Sequence, residues 1–208
     1  MPYIVTAPWW LRLSFSKHCV WDLPAHEKVI YLTFDDGPHP TITPWVLDML
    51  KNYEAKATFF CLGKNVQAYP EVYRRILEEG HRVGNHTHRH LNSKKTDEKE
   101  WLEDVHTAAK WIDSDLFRPP YGRISRFQEK ALREALPGYR TIMWSVLSGD
   151  FDNTLSADEC TKIICKHSKR GSIIVFHDSE KAWPRLENCL PETLKRLSDK
   201  GFIFNALK

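Results

Sequence analysis

Val29-Ile30-Tyr31-Leu32-Thr33-Phe34-Asp35-Asp36-Gly37-Pro38 is the stretch that decides the fold. A β-rich run ends on two adjacent carboxylates and a Gly-Pro turn, so a strand delivers charge at one of its ends. Working outward, β-rich runs recur at Ala57–Cys61, Arg82–Asn85, Leu116–Arg118, Arg140–Trp144, Ser172–Phe176 and Phe202–Phe204. Between them the apolar residues take helical spacing. Pro44–Tyr53 carries Val46, Leu47 and Leu50 on one side, and Pro70–Glu79 carries Val72, Ile76 and Leu77. Asp97–Ile112, Phe127–Leu136, Ala157–His167 and Leu186–Leu197 continue the series. Strand–helix alternation of this kind predicts a parallel sheet with helices outside it.

Seven such units in 208 residues are too many for a small open sheet. They suit a distorted (β/α) barrel of about seven parallel strands, a little smaller than the eight-stranded form, which needs ~250 residues. An open doubly wound sheet is the alternative. No internal repeat or linker interrupts the chain, so residues 28–208 are expected to form one domain, with residues 1–27 as an N-terminal arm packed on the barrel.

Composition excludes several classes. The chain is 42% hydrophobic and 27% charged, as a globular protein should be. Its formal net charge of +3 is spread out, with no basic block longer than Lys94-Lys95, which argues against nucleic acid as a partner. Cys19, Cys61, Cys160, Cys165 and Cys189 form no regular framework, so reduced thiols are expected. No secretory h-region and no apolar run of ~20 residues is evident, which predicts a cytoplasmic protein. Trp9, Trp10 and Trp21 crowd the first two dozen residues beside Leu11, Leu13 and Phe15. One reading is a membrane-interface anchor, with Arg12 and Lys17 facing head groups. The alternation of Leu11, Leu13 and Phe15 with Arg12, Ser14 and Ser16 favours instead a strand that covers one end of the domain.

The ionisable residues fall at strand ends. Asp35 and Asp36 follow the first run, His86 and His90 the third, and Arg118 ends the fourth. Asp150 comes soon after the fifth and His177 ends the sixth. In parallel α/β folds the C-terminal strand ends form the face on which active sites are built. Adjacent side chains diverge at a strand end, so one carboxylate can ligate a metal while the other faces substrate. His86 and His90 are four apart, and on a helical turn both imidazoles share a face, as in other paired zinc ligands. Asp36 as third ligand leaves positions open for water, and His88 points elsewhere. Arg118-Pro119-Pro120-Tyr121-Gly122 is a stiff segment whose remaining amides, Tyr121's included, can be aimed at an oxyanion.

Together these segments resemble the polysaccharide deacetylase (NodB-homology) family, carbohydrate esterase family 4, from about Val29 to Leu207. Thr33–Pro38 matches its first motif, His86-Thr87-x-x-His90 its second, and Arg118–Gly122 its third. The resemblance implies a barrel enzyme that removes N-acetyl groups from an amino-sugar glycan or oligosaccharide and releases acetate. It implies Asp35 as the base, and Asp36, His86 and His90 as ligands of one divalent ion, zinc first and cobalt or manganese next. Arg118 would pair with the base, while the Tyr121 amide, with Pro119 and Pro120, would form the oxyanion site. His177 would be the acid, with Asp150 bridging Arg118 and His177. Two motifs depart from the common form: Phe151 stands where the family often has Trp, and Val175 where it often has Leu. The resemblance implies that Val175 would line the acetyl pocket and that Phe151 keeps an aromatic wall there, so both bear on the contacts with the sugar and the acyl methyl and hence on specificity. A hydrolase of small non-sugar amides, or a carbohydrate-binding protein without catalysis, would share the fold.

Overall fold

The computed structural model describes residues 4–208. Its elements run α1 (Trp9–Arg12), β1 (Val29–Asp35), α2 (Ile42–Lys51), β2 (Ala57–Cys61), α3 (Gly63–Ala68), α4 (Pro70–Glu78) and β3 (Arg82–Asn85). After them come α5 (Glu98–Ala109), β4 (Leu116–Phe117), α6 (Arg126–Ala135), β5 (Arg140–Thr141) and β6 (Val146–Leu147). The chain closes with α7 (Ala157–His167), β7 (Ile173–His177), α8 (Trp183–Asp199) and β8 (Ile203–Phe204). Parallel strands in the order β5-β4-β3-β2-β1-β7-β6 curl into an incomplete barrel with helices around it.

The path has seven strands, though not the seven read from sequence. Phe202–Phe204 supplies β8, which leaves the path and pairs with the start of β1 through Val29↔Ile203 and Ile30↔Phe204. Its place is taken by Val146–Leu147, a two-residue strand too short to stand out as a run. The helix α3 also went unread, because Gly63-Lys64-Asn65-Val66-Gln67-Ala68 has no apolar stripe to mark it.

Strand β1 is buried along its whole length, which is why its sequence is a continuous apolar run and not an alternation. Ile30, Leu32 and Phe34 point outward beneath the helices. There Phe34 stacks on Phe59 of β2 and Phe176 of β7, its register partners, at 5.1 and 5.6 Å. Val29 and Tyr31 point into the barrel with Phe60, Leu116, Ile142 and Ile173. Thr33 and Asp35 continue that inner face, so the same alternation that fills the barrel carries Asp35 to its mouth.

Val46, Leu47 and Leu50 are buried in α2 as the spacing predicts, and so are Val72 and Ile76 in α4. Leu77 is not; it is 45% exposed, since one residue beyond Ile76 is a rotation of about 100° off the buried stripe. Asp97 is the N-cap of α5, accepting from the amides of Lys99 and Glu100. Capping boxes start α6 (Ser125 with Gln128) and α7 (Ser156 with Glu159).

The strand expected over Leu11–Phe15 is absent. Residues 9–15 coil instead: the Leu13 amide bonds to the Trp9 carbonyl, Ser14 to Leu11 and Phe15 to Arg12. Three alternations cannot make a strand without a sheet edge to pair with, and local hydrogen bonds took the backbone first. Pairing begins later. Val20 bridges Ile142 and Asp22 bridges Ser172, so residues 20–23 stitch the seam between β5 and the β7–β6 edge. Cys19 and Trp21 are buried there with Trp101, Phe117 and Met143. No helix among the described residues is long and apolar enough to cross a membrane.

Candidate active site

Asp35 and Arg118 form the buried floor. The guanidinium donates from Nη1 to Asp35 Oδ1 and to Thr33 Oγ1, each at 2.7 Å. Its Nε reaches the Ile142 carbonyl at 3.2 Å and its Nη2 the Met143 carbonyl at 2.9 Å. The Phe60 ring lies 4.1 Å from its central carbon. Burial pulls the Arg118 pKa down while the Asp35 carboxylate opposes that pull. With so many fixed partners the pair is rigid, and deleting either member would cost about 3–5 kcal/mol by stranding the other's charge.

The expected bridge from Asp150 to Arg118 is not made. Arg118 is taken up by Asp35, Thr33 and two carbonyls, while Asp150 turns wholly to His177. Asp150 Oδ1 lies 2.8 Å from His177 Nδ1 and Oδ2 accepts the His177 amide at 2.7 Å. Arg185 anchors the backbone beneath, donating to the Asp150 carbonyl at 2.8 Å. Burial lowers the His177 pKa, but the charge and hydrogen bond of Asp150, helped by Asp36 and Asp35, outweigh it and push the imidazole up to about 9. With Nδ1–H donated to Asp150, Nε2 is the atom left for chemistry.

Asp36, His86 and His90 converge, each offering one ligand atom within 4.8 Å of the others. Asp36 Oδ1 is 3.2 Å from His90 Nε2 and 3.7 Å from His86 Nε2. That oxygen is buried with no hydrogen bond to it, a costly position unless something cationic completes it. His86 Nδ1 sits 2.8 Å from the Arg118 carbonyl, which fixes the proton there and leaves Nε2 as a lone pair. Burial lowers the His86 pKa to about 4, keeping the ring neutral as a ligand must be. For Asp36, burial acts upward, but the neighbouring His90 and the charges of His177 and His86 carry its carboxyl well below the usual range. A donor set of two imidazole nitrogens and a bare carboxylate oxygen fits a divalent cation.

The geometry that unites the histidines is not a helical turn. Thr87 and His90 have φ of 69° and 63°, so the backbone doubles back twice between the ligands. Side chains hold it there. Asn85 Oδ1 accepts the Thr87 amide, Thr87 Oγ1 accepts that of His90, and Asp104 Oδ2 accepts those of His88 and Arg89. His88 does point elsewhere, onto Gly63, where a Cβ would lie 2.6 Å from its Nδ1.

Pro119 and Pro120 are buried and lead into Tyr121 and Gly122, with φ of 59° and 60°. The Gly122 and Arg123 amides fold back onto the Pro119 and Pro120 carbonyls and close the turn around Tyr121. The Tyr121 ring is exposed and packs 4.7 Å from His90. Phe151 stands 5.2 Å from His177 in an edge contact. Val175 is buried on the inner face of β7, two residues before His177 and beside Thr33 in register.

Several positioning groups escaped the sequence reading. Asp178 is 1% exposed; its Oδ1 accepts the Gly37 amide at 3.1 Å and its Oδ2 the Thr43 hydroxyl. Burial pushes its carboxyl up to about 8, Asp36 and Asp35 adding to the rise and the Thr43 hydrogen bond resisting it. Asn65 donates to the Asp36 carbonyl at 2.8 Å. Asp104 carried a legible signal, lying on the buried stripe of Trp101, Val105 and Ala108 in α5. Asp178 carried only its adjacency to His177.

This combination of fold and site is that of a polysaccharide deacetylase, and the chain belongs to that family, whose model matches residues 22–141. The chain is 38% identical over 200 residues to a peptidoglycan-N-acetylglucosamine deacetylase of Bacillus cereus, covering 93% of this chain and 92% of that one. It is 33% identical over 160 residues to a chitooligosaccharide deacetylase of Azorhizobium caulinodans, covering 74% and 75%. Among solved structures, a peptidoglycan N-acetylglucosamine deacetylase in complex with 4-naphthalen-1-yl-N-oxidanyl-benzamide superposes with a TM-score of 0.82 at 30% identity, covering 96% of this chain and 94% of that one.

Proposed function

We propose that this protein is a metal-dependent hydrolase that removes N-acetyl groups from an amino-sugar glycan of peptidoglycan or chitooligosaccharide type. The observation that carries the reading is the bare, buried Asp36 Oδ1 facing two imidazole Nε2 atoms, with the Asp35–Arg118 and Asp150–His177 pairs beside it. Asp36, His86 and His90 would hold a divalent cation, zinc before cobalt or manganese, which when bound would supply Lewis-acid polarisation of the amide and a lowered pKa for the attacking water.

The chain's own groups do the rest. Asp35, pinned by Arg118, takes the proton from the water as it attacks. The Tyr121 amide donates to the carbonyl oxygen as charge gathers on it. His177, charged through its contact with Asp150, gives a proton from Nε2 to the leaving amine, which departs poorly without one. Phe151 and Val175 flank the acyl group and set its fit, and the buried Pro119 and Pro120 keep the Tyr121 amide aimed.

The test is a panel of chitooligosaccharides and peptidoglycan fragments assayed for acetate release after chelation and after return of zinc, cobalt or manganese. Release from at least one glycan that disappears on chelation and returns with metal is expected. Full activity in the stripped protein would overturn the mechanism, and no release from any acetylated glycan would overturn the substrate class.

A further inference from the structure

The aromatic residues of the N-terminal segment divide into two groups. Trp21 is buried and Phe15 packs on it at 5.1 Å, so these belong to the body of the protein. Trp9, Trp10 and Leu13 are 74%, 58% and 63% exposed on one coiled turn, in which the Leu13 amide bonds to the Trp9 carbonyl. Arg126 binds this turn to the start of α6, donating to the Phe15 and Leu13 carbonyls, and its neighbour Phe127 is 67% exposed. Leu13, Phe15, Ser16, Lys17, His18 and Arg126 surround a shallow groove at the edge of these apolar side chains. The first acid in the chain is Asp22, and it is paired with Arg12. Lys17 has no ion pair among the described residues.

We infer that the surface of Trp9, Trp10, Leu13 and Phe127, with Lys17, His18 and Arg126 at its edge, docks on an anionic lipid surface. The tryptophans and the aliphatic and phenyl side chains enter the interfacial layer, and the cationic groove receives head-group phosphates. Two other occupants fit less well. A glycan chain stacks on aromatic faces and hydrogen-bonds beside them, and the aliphatic Leu13, 63% exposed among these residues, offers it neither. A second copy docked by a two-fold axis would bring two sets of Lys17 and Arg126 into one interface with no acid from residues 1–21 to offset them.

The experiment is vesicle co-sedimentation with the full chain, comparing phosphatidylcholine vesicles with and without phosphatidylglycerol. Binding to the anionic vesicles is expected, weakened by salt, with neutral vesicles bound at least tenfold less. Trp9→Ser, Trp10→Ser and Leu13→Ser combined, and separately Lys17→Glu, should each cut it several-fold. These side chains are exposed, so thermal unfolding should stay as in the parent, which keeps a lost fold from imitating a lost surface. Equal binding to both vesicles, or binding indifferent to the triple substitution, overturns the inference. So does an absence of vesicle binding, including the case where the same substitutions abolish retention on an insoluble glycan or self-association.

Discussion

Asp178 is the residue whose removal tests how the metal ligands are held. Asp36 stands at φ 81°, a region that costs a side-chain-bearing residue about 1–3 kcal/mol and persists only when its surroundings impose it. Three bonds impose it here: Asn65 Nδ2 to the Asp36 carbonyl, the Leu62 amide to the Gly37 carbonyl, and the Gly37 amide to Asp178. Asp178→Ala deletes the third and leaves a buried N–H without an acceptor. With two anchors remaining, about 1–2 kcal/mol of the strain should return as a penalty on the ligating conformation, or roughly five- to thirty-fold weaker metal binding. Global stability should move less. Folding at pH 7 already bears the burial of a carboxyl whose pKa is raised to about 8, and that burden leaves with the side chain. Asp178→Asn keeps an acceptor for Gly37 and should hold metal like the parent. It should also be relatively more stable as pH rises from about 4 toward 8, the window in which a raised carboxyl loses stability for the folded state. Competition against a chromophoric zinc chelator, alongside thermal unfolding, reads both quantities. If Asp178→Ala folds and binds zinc as tightly as the parent, the anchoring role is refuted.

Asp35→Asn should retain the ion and lose about 10²–10⁴-fold in acetate release, whereas Asp36→Ala should lose the ion itself; metal analysis of both variants checks this, and the reverse pattern exchanges their roles. His177 is protonated below its raised pKa, so the alkaline limb of kcat/KM should lie at or below about 9, a bound cation pulling it down. Asp150→Asn should shift that limb further toward neutral pH, and an unmoved limb would mean another group supplies the proton. His81, buried and lowered to about 4, accepts the Ala57 amide through Nδ1 and must charge on acidification. As pH falls from about 6.5 to 4 the protein should lose up to about 3 kcal/mol through this group, and urea midpoints for His81→Gln should fall less steeply with acid.

Much of this was legible because strand, helix and rim residues announce themselves differently. Long buried strands such as Val29–Asp35 show as apolar runs, and charged residues that follow such runs mark the active face. The two-residue strand Val146–Leu147 has no such length, and its place in the sheet comes from β7 pairing beside it. The ligand set was readable from residue type, but the cause of its convergence was not. Four-residue spacing suggested a helix, whereas two left-handed residues held by Asn85, Thr87 and Asp104 bring His86 and His90 together. The pairing of Arg118 with Asp35 followed from the motif resemblance, but the absence of the added bridge to Asp150 did not: Thr33, Asp35 and two carbonyls fill the guanidinium, and Asp150 bonds to His177 instead.

The seam stitched by residues 20–23 reaches further than closing the barrel. Val20 clasps the chain on both sides of Ile142, its amide to the Thr141 carbonyl at 2.9 Å and its carbonyl to the Met143 amide at 2.7 Å. The Ile142 and Met143 carbonyls are the ones that grip Arg118, and Arg118 grips Asp35. A leading segment that looks dispensable in a motif alignment is thus the far end of a lever resting on the proposed base. Trimming the chain back to residue 28 would loosen that lever while leaving every motif residue in place.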